Sequence, residues 1–394
     1  MTPNVANFPA RAMERQTELD WLRGTMLVLM TFTHLPTWFS GHLGQPFGYV
    51  SAAEGFVFLS AYLVGCVYAG RARRHGDAVM MRALWRRTAK VYAVHAGLLL
   101  FLLLVLVPFA MSHDARAITD LASYYVERPH LALASGLVLA YNPPLLDILP
   151  MYVLFLVITP YVLRHGLRYG FAEMLLLSAV LWLVGQYDGG RYVYEAVATL
   201  VGWPVPYGAT GAFSFLGWQL LWVVGLYLGA RAGVASAPTR VPSRTLLHAA
   251  IALAIAFFAW RHLAGQVPFA PGRALNALVD KWHLGPLRLL NFAVLAWLVV
   301  RVRPCLVKLA ADSSITQMGR AALPVFAVHL VICLTLLATL GDAPRPHLSV
   351  MEIMLVATTL VVLYGVARAV TGMPAMLASW RRVAPARVST RTAR

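Results

Sequence analysis

Ten times along this chain an apolar run of about the length that crosses a lipid hydrocarbon layer is closed by a short polar connection, and that repetition leaves few folds open. Backbone in hydrocarbon must satisfy its own hydrogen bonds, and apolar runs without strict alternation do so as helices. The spans read at 22–40, 51–69, 91–111, 132–163 (its crossing part at 145–163), 171–186, 212–230, 245–260, 285–301, 321–340 and 349–368. Apolar residues make up 59% of the chain and charged residues 12%, about half the charged share of a soluble domain. The expected fold is an all-α integral membrane protein, a polytopic bundle of about ten transmembrane helices. It forms a single domain over 1–380, followed by a short basic tail at 381–394.

Charge sets the expected orientation. With the amino terminus inside, the inner segments hold Arg11, Arg15 and Arg23, then a cluster from Arg71 to Lys90, then Arg164, Arg168, Arg231, Arg240, Arg244, Arg301, Arg303, Lys308 and Arg320. With Arg368 and the tail they collect 25 of the 33 basic residues, a clear positive-inside bias that puts both termini in the cytoplasm. The net charge of +17 is then topological, which removes the case for nucleic acid and leaves the lipid bilayer and an anionic cytoplasmic substrate as partners. The first twenty residues are polar, so no cleavable leader is expected. Cys66, Cys305 and Cys333 lack metal-ligand spacing and read as small packing residues, so no metal is expected.

The polar exceptions inside the spans carry the chemistry. Asp20-Trp21-Leu22-Arg23 stands at the mouth of the first span, and His34 follows on the same helix face about 16 Å further along. Asp20 and Arg23, three apart, can pair across one turn, as an anchor or to aim Arg23 at an anion. Ionisable groups inside a membrane are costly and mark functional pathways. Glu54, near the start of the second span, reaches the depth of His34 on a neighbouring helix. A carboxylate there would orient the imidazole and make it a general base for a hydroxyl attacking an acyl carbonyl. Ser60 reads as packing. In the inner basic loop, Arg86, Arg87 and Lys90 are expected to hold donor phosphates. On the outer side Asp147, Trp218, Gln219, Asp280 and His283 describe a carbohydrate platform, with one ring to stack on and several hydrogen-bonding groups. His329 is a second intramembrane histidine.

These residues resemble the OpgC family, membrane acyltransferases that decorate osmoregulated periplasmic glucans, usually with succinyl groups. The matching blocks are Asp20-Trp21-Leu22-Arg23-Gly24 through His34-Leu35-Pro36, Phe47-Gly48-Tyr49 through Glu54 to Tyr62, Leu146 to Pro150, Trp218 to Leu221, Asp280 to Leu290, and Gly319-Arg320 to His329-Leu330. The ten residues between Arg23 and His34 also resemble the signature of the wider acyltransferase-3 superfamily. Where the family usually reads Ser-Gly-Tyr this chain has Ser60-Ala61-Tyr62, and Ser214 to Gly217 replace a usual asparagine-proline pair. The resemblance implies a multi-pass protein of the bacterial inner membrane. It would move a succinyl or acetyl group from cytoplasmic acyl-CoA to a periplasmic glucan, directly or through an acyl-enzyme. Asp20 and Arg23 would assist His34 and Glu54, and no cofactor would be held tightly. The competing classes are a secondary transporter of an anionic solute, against which the missing inverted repeat counts, and a flippase or synthase subunit that releases no coenzyme A. Oligomeric state stays open.

Overall fold

The computed structural model describes residues 16–232, 243–311, 313–342 and 347–383, with side chains to 372 in the last segment. Arg11, Arg15, Arg240 and residues 384–394 of the expected tail lie outside them. Among the described residues every regular element is helical. The main helices are α1 (Thr17–His34), α2 (Ala52–His75), α3 (Asp77–Phe101), α4 (Ile148–Tyr169), α5 (Ala172–Gln186), α6 (Gly189–Val201), α7 (Phe215–Ala232), α8 (Arg244–Ala264), α9 (Pro286–Arg301), α10 (Arg303–Ala310), α11 (Ser314–Arg320), α12 (Ala322–Leu340) and α13 (Val350–Val383).

Six described helices are long and apolar enough to cross a membrane, and a seventh span forms if α9 and α10, bent by 71°, count as one. The other three expected spans are helices too, α1, α5 and α7. The expected inner loop Arg71 to Lys90 is not a loop. Helix α2 continues to His75, Gly76 turns the chain with φ +81°, and a helical rod runs from Asp77 to Ser112. No proline or glycine interrupts Asp77–Lys90, so the basic stretch simply extends the span. Within that rod Leu102–Leu106 widens to a π-turn, just where Pro108 removes an N–H from the ladder.

Local sequence also decides where α1 ends. Leu35 precedes Pro36, a position that disfavours helical backbone, and it adopts ψ 139°. His34 is therefore the last helical residue, and the span expected to reach residue 40 breaks into a short second helix, Trp38–His42. The turn is fixed by Glu352 of α13, whose carboxylate accepts from Trp38 N–H at 3.1 Å.

Helices meet closely where glycine permits. A Cβ on Gly229 of α7 would overlap the carbonyl of Tyr62 on α2, and one on Gly319 of α11 would overlap that of Asp20 on α1. Such small-residue contacts bring backbones together in apolar surroundings. Ion pairs then tie helix ends at one end of the bundle. Glu18 meets Arg303 at 2.7 Å, Asp20 lies 3.9 Å from Arg320, and Asp77 meets Arg168 at 2.6 Å.

Candidate active site

At that same end a cavity of about 270 Å³ opens between α1, α2, α3, α4 and the α11–α12 corner. Four cations line it, Arg23, Arg87, Lys90 and Arg320, and no Asp or Glu does so among the described residues. Arg23 comes from the second turn of α1, Arg87 and Lys90 from one face of α3, and Arg320 from the last residue of α11. The Asp20 carboxylate, beside Arg320, holds that guanidinium in the wall. Arg87 donates through Nη2 to the Tyr152 hydroxyl at 2.9 Å. Its Nε, and the hydroxyl of Ser60, are buried without a hydrogen-bond partner among the described residues. Buried donors that find no partner in the protein suit a polar ligand. Sequence reasoning placed Arg23, Arg87 and Lys90 here but also Arg86, which lies on the exposed face of α3. Lys90 neighbours both on the helix surface, and what marks the inward side is the bond of Arg87 to Tyr152 on α4. Ser60, expected to pack, instead lines the cavity.

The deep lining is apolar and aromatic. Phe56 and Phe326 stack with centroids 5.9 Å apart, and the Arg23 guanidinium lies over the Phe56 ring at 5.9 Å. Phe326 is one turn from His329 on α12, their rings 6.1 Å apart. His329 is fully buried, and its Nε2 lies 3.0 Å from Nδ1 of His34, with ring centroids 5.2 Å apart. The cationic wall, the phenylalanine pair and the histidine pair thus follow one another along α1.

The expected partnership of Glu54 with His34 is replaced. Glu54 Oε2 accepts from Ser51 N–H at 3.0 Å and from the Ser51 hydroxyl, and Oε1 accepts from Arg288 Nε of α9. The first pair is a capping box, in which the acid three residues into the helix turns back to its N-cap. Arg288 is buried with it. Its Nη1 donates to Val279 C=O at 3.2 Å, while Nη2 has no partner among the described residues. Sequence reasoning left Arg288 out of the site, although an arginine inside an apolar run is itself a signal.

The outer platform is also rearranged. Trp218 is wholly buried and donates to the carbonyls of Lys281 and Trp282, both at 3.1 Å. Gln219 is buried against Ser178, donating to its carbonyl at 2.7 Å and accepting from its hydroxyl at 2.6 Å. Neither presents a face to a sugar, so both serve packing. Asp147 accepts from Ala212 N–H at 3.1 Å and pins that loop. The groups left at least partly exposed on the 280–285 turn are Trp282, Asp280 and His283, while Lys281 turns inward. Lys281 sits over the rings of Phe213 and Trp282 at 5.6 and 4.6 Å. Burial pushes its ammonium down, against the pull of Glu54, Asp147 and Asp280.

His283 is clamped between two carboxylates, Nδ1 at 2.9 Å from Asp280 and Nε2 at 3.1 Å from Asp188. The hydrogen bond to Asp280 raises its pKa above 6.5 against the opposing effect of burial. A raised folded pKa stabilises the charged form, so this clamp is at full strength below 6.5 and is lost as pH rises through the folded value. Amide-exchange protection of the 280–285 turn, normalised for intrinsic rates, should therefore fall as pH rises from 6 to 9. In His283→Asn it should stay flat over that range, and a wild-type profile equally flat would refute the clamp.

The family model described as OpgC protein matches residues 15–374, a stretch that contains the cavity, both histidines and the 280–285 turn. Comparison with curated proteins and with solved structures gives no match. With agreement over nearly its whole length, the chain belongs to the OpgC family.

Proposed function

We propose that this protein is a ten-span O-acyltransferase of the bacterial inner membrane, with both termini cytoplasmic. It moves a succinyl or acetyl group from cytoplasmic acyl-CoA to a hydroxyl of a periplasmic glucan. The carrying observation is one cavity whose wall holds Arg23, Arg87, Lys90 and Arg320 and whose aromatic end adjoins His329 and His34. Phosphates need several cationic donors, and guanidinium forks bind them in pairs. A thioester arm entering past Phe56 and Phe326 would reach the histidine pair while the nucleotide stays at the mouth.

His34 then acts as general base. A glucan hydroxyl gives its proton to the imidazole, its oxygen bonds to the acyl carbon, and the C–S bond breaks. The departing thiolate takes that proton from His34, so coenzyme A leaves as the thiol and the imidazole returns neutral. Lys281, within electrostatic reach of His34, supplies positive charge while the carbonyl oxygen is negative. On the outer side Trp282, Asp280 and His283 are the groups for the sugar.

The test offers purified protein labelled succinyl-CoA and acetyl-CoA separately, with a periplasmic glucan extract. Arg87→Gln and Arg320→Gln should each raise KM for the donor about tenfold, as expected for losing one charge-assisted contact, with kcat little changed. Arg86→Gln should match wild type. No transfer and no coenzyme A release from either donor by folded protein would end this reading. Uptake of an intact solute into vesicles would favour a transporter.

A further inference from the structure

Thr31, His329 and His34 form a buried hydrogen-bonded chain, with Cys333 Sγ 3.5 and 3.8 Å from the two ring nitrogens of His329. The Thr31 hydroxyl donates to the Leu27 carbonyl at 2.9 Å, the shorter of its two contacts, and that bond spends its single proton. Its oxygen lies 3.3 Å from Nδ1 of His329. With the hydroxyl proton spent, that contact is a hydrogen bond only if Nδ1 carries the hydrogen and donates. Cys333 Sγ, 3.5 Å from the same nitrogen, is a weak second acceptor that fits the same assignment. A neutral imidazole has one N–H and one lone pair. None of the hydrogen-bond partners found for His329 is a carboxylate, and a lone buried charge is costly. Its Nε2 is therefore the lone pair. The neighbour of that lone pair, at 3.0 Å, is Nδ1 of His34, which must donate. Nε2 of His34 is left as the unprotonated nitrogen.

We propose that His329 is the positioning residue of this site and Thr31 its anchor, together holding His34 in the Nδ1–H tautomer with Nε2 free as the base. The place that sequence reasoning gave to a carboxylate is taken by a neutral ring. When Nε2 accepts the proton of the acceptor hydroxyl, the Nδ1–H stays on His34, still bonded to His329. The proton that moves on to the thiolate is the one on Nε2. The use of the base rests on the acyl-transfer reading. The tautomer does not.

The experiment has two arms, both on the full chain in lipid nanodiscs. The first is nitrogen-15 NMR of histidine-labelled protein, with the His34 signals identified by their loss in His34→Gln. Wild type should show His34 with Nδ1 protonated and Nε2 bare. His329→Gln, whose amide oxygen can still accept, should keep that state, and His329→Leu should lose it. Thr31→Val should shift His329 toward the other tautomer, while Thr31→Ser should not. Finding Nε2 of His34 protonated in wild type would overturn the proposal. The second arm is kinetic. His329→Leu should lower kcat about 100-fold or more with KM for the donor unchanged, and His329→Gln should recover at least a tenth of the wild-type rate. Equal losses in the two variants, or a change confined to KM, would also overturn it. If wild type transfers no acyl group at all, the acyltransferase reading falls, and the NMR arm still decides the tautomer.

Discussion

Replacing His34 with alanine should lower acyl transfer by about 10²–10⁴-fold, the range a positioned general base contributes, while leaving donor binding intact. The separation follows from geometry. The four cations that would hold the donor line the cavity around Arg23, whereas His34 closes the far end of α1, about 16 Å along the helix. His34 adjoins the donor pocket through His329 and Phe326. Loss of its imidazole should thus appear in kcat, with equilibrium binding of coenzyme A unchanged. The measurement is a labelled-donor assay beside calorimetric titration of coenzyme A on the same preparation. A variant that binds coenzyme A normally and still transfers the label at the wild-type rate would show that another group is the base. His34→Gln separates the ring's basicity from its packing, because the amide keeps a donor but cannot accept a proton at neutral pH. It should be as slow as the alanine variant.

Arg288→Met should be the most damaging single change to stability. It strips the guanidinium from a carboxylate buried with it and leaves Glu54 with the Ser51 hydrogen bonds and the more distant charge of Lys281. Breaking a buried pair from one side costs about 3–5 kcal/mol, most of it the uncompensated charge that remains. Glu54→Gln combined with Arg288→Met removes both charges and should recover much of the loss, since buried pairs are often replaceable by uncharged groups. Thermal unfolding in detergent over the four proteins of the cycle measures this. The same set tests the role of Glu54. If Glu54 oriented His34, Glu54→Gln would act on kcat and spare stability. If it serves Arg288 and the N-cap, the order is reversed. Near-additive effects in the cycle would deny the pair any coupling.

Part of the cavity wall is local in sequence. Arg23 is positioned by the run it opens, and Arg87 and Lys90 lie three apart on one helix, close enough to line one wall. Their partner Arg320 lies far along the chain, beside Asp20, and no period relates it to them. The basic stretch has the charge of a loop but the continuity of a helix, since nothing between Asp77 and Lys90 breaks one. Glu54 carried a readable signal that pointed elsewhere: Ser51-Ala52-Ala53-Glu54 is a capping-box pattern, and a glutamate turned back to its own N-cap is poorly placed to reach across to another helix. Trp218 and Gln219 lie near the start of α7, but which side of that helix end met lipid, water or protein was not written in their types.

The sequence by itself determined that this chain is helical, which segments are apolar enough to be buried in lipid, and the spacing of Arg23 and His34 along one axis, because apolar period and helical rise act within a single segment. Its blocks also carried the OpgC family. The tertiary structure decided which ring faces His34. His329 is 295 residues away, and the depth of two residues says nothing about their azimuth on neighbouring helices. Azimuth is set by how helices pack, as in the close glycine contacts of α1 with α11 and of α2 with α7, and in the packed bundle Glu54 meets Arg288 and His329 meets His34.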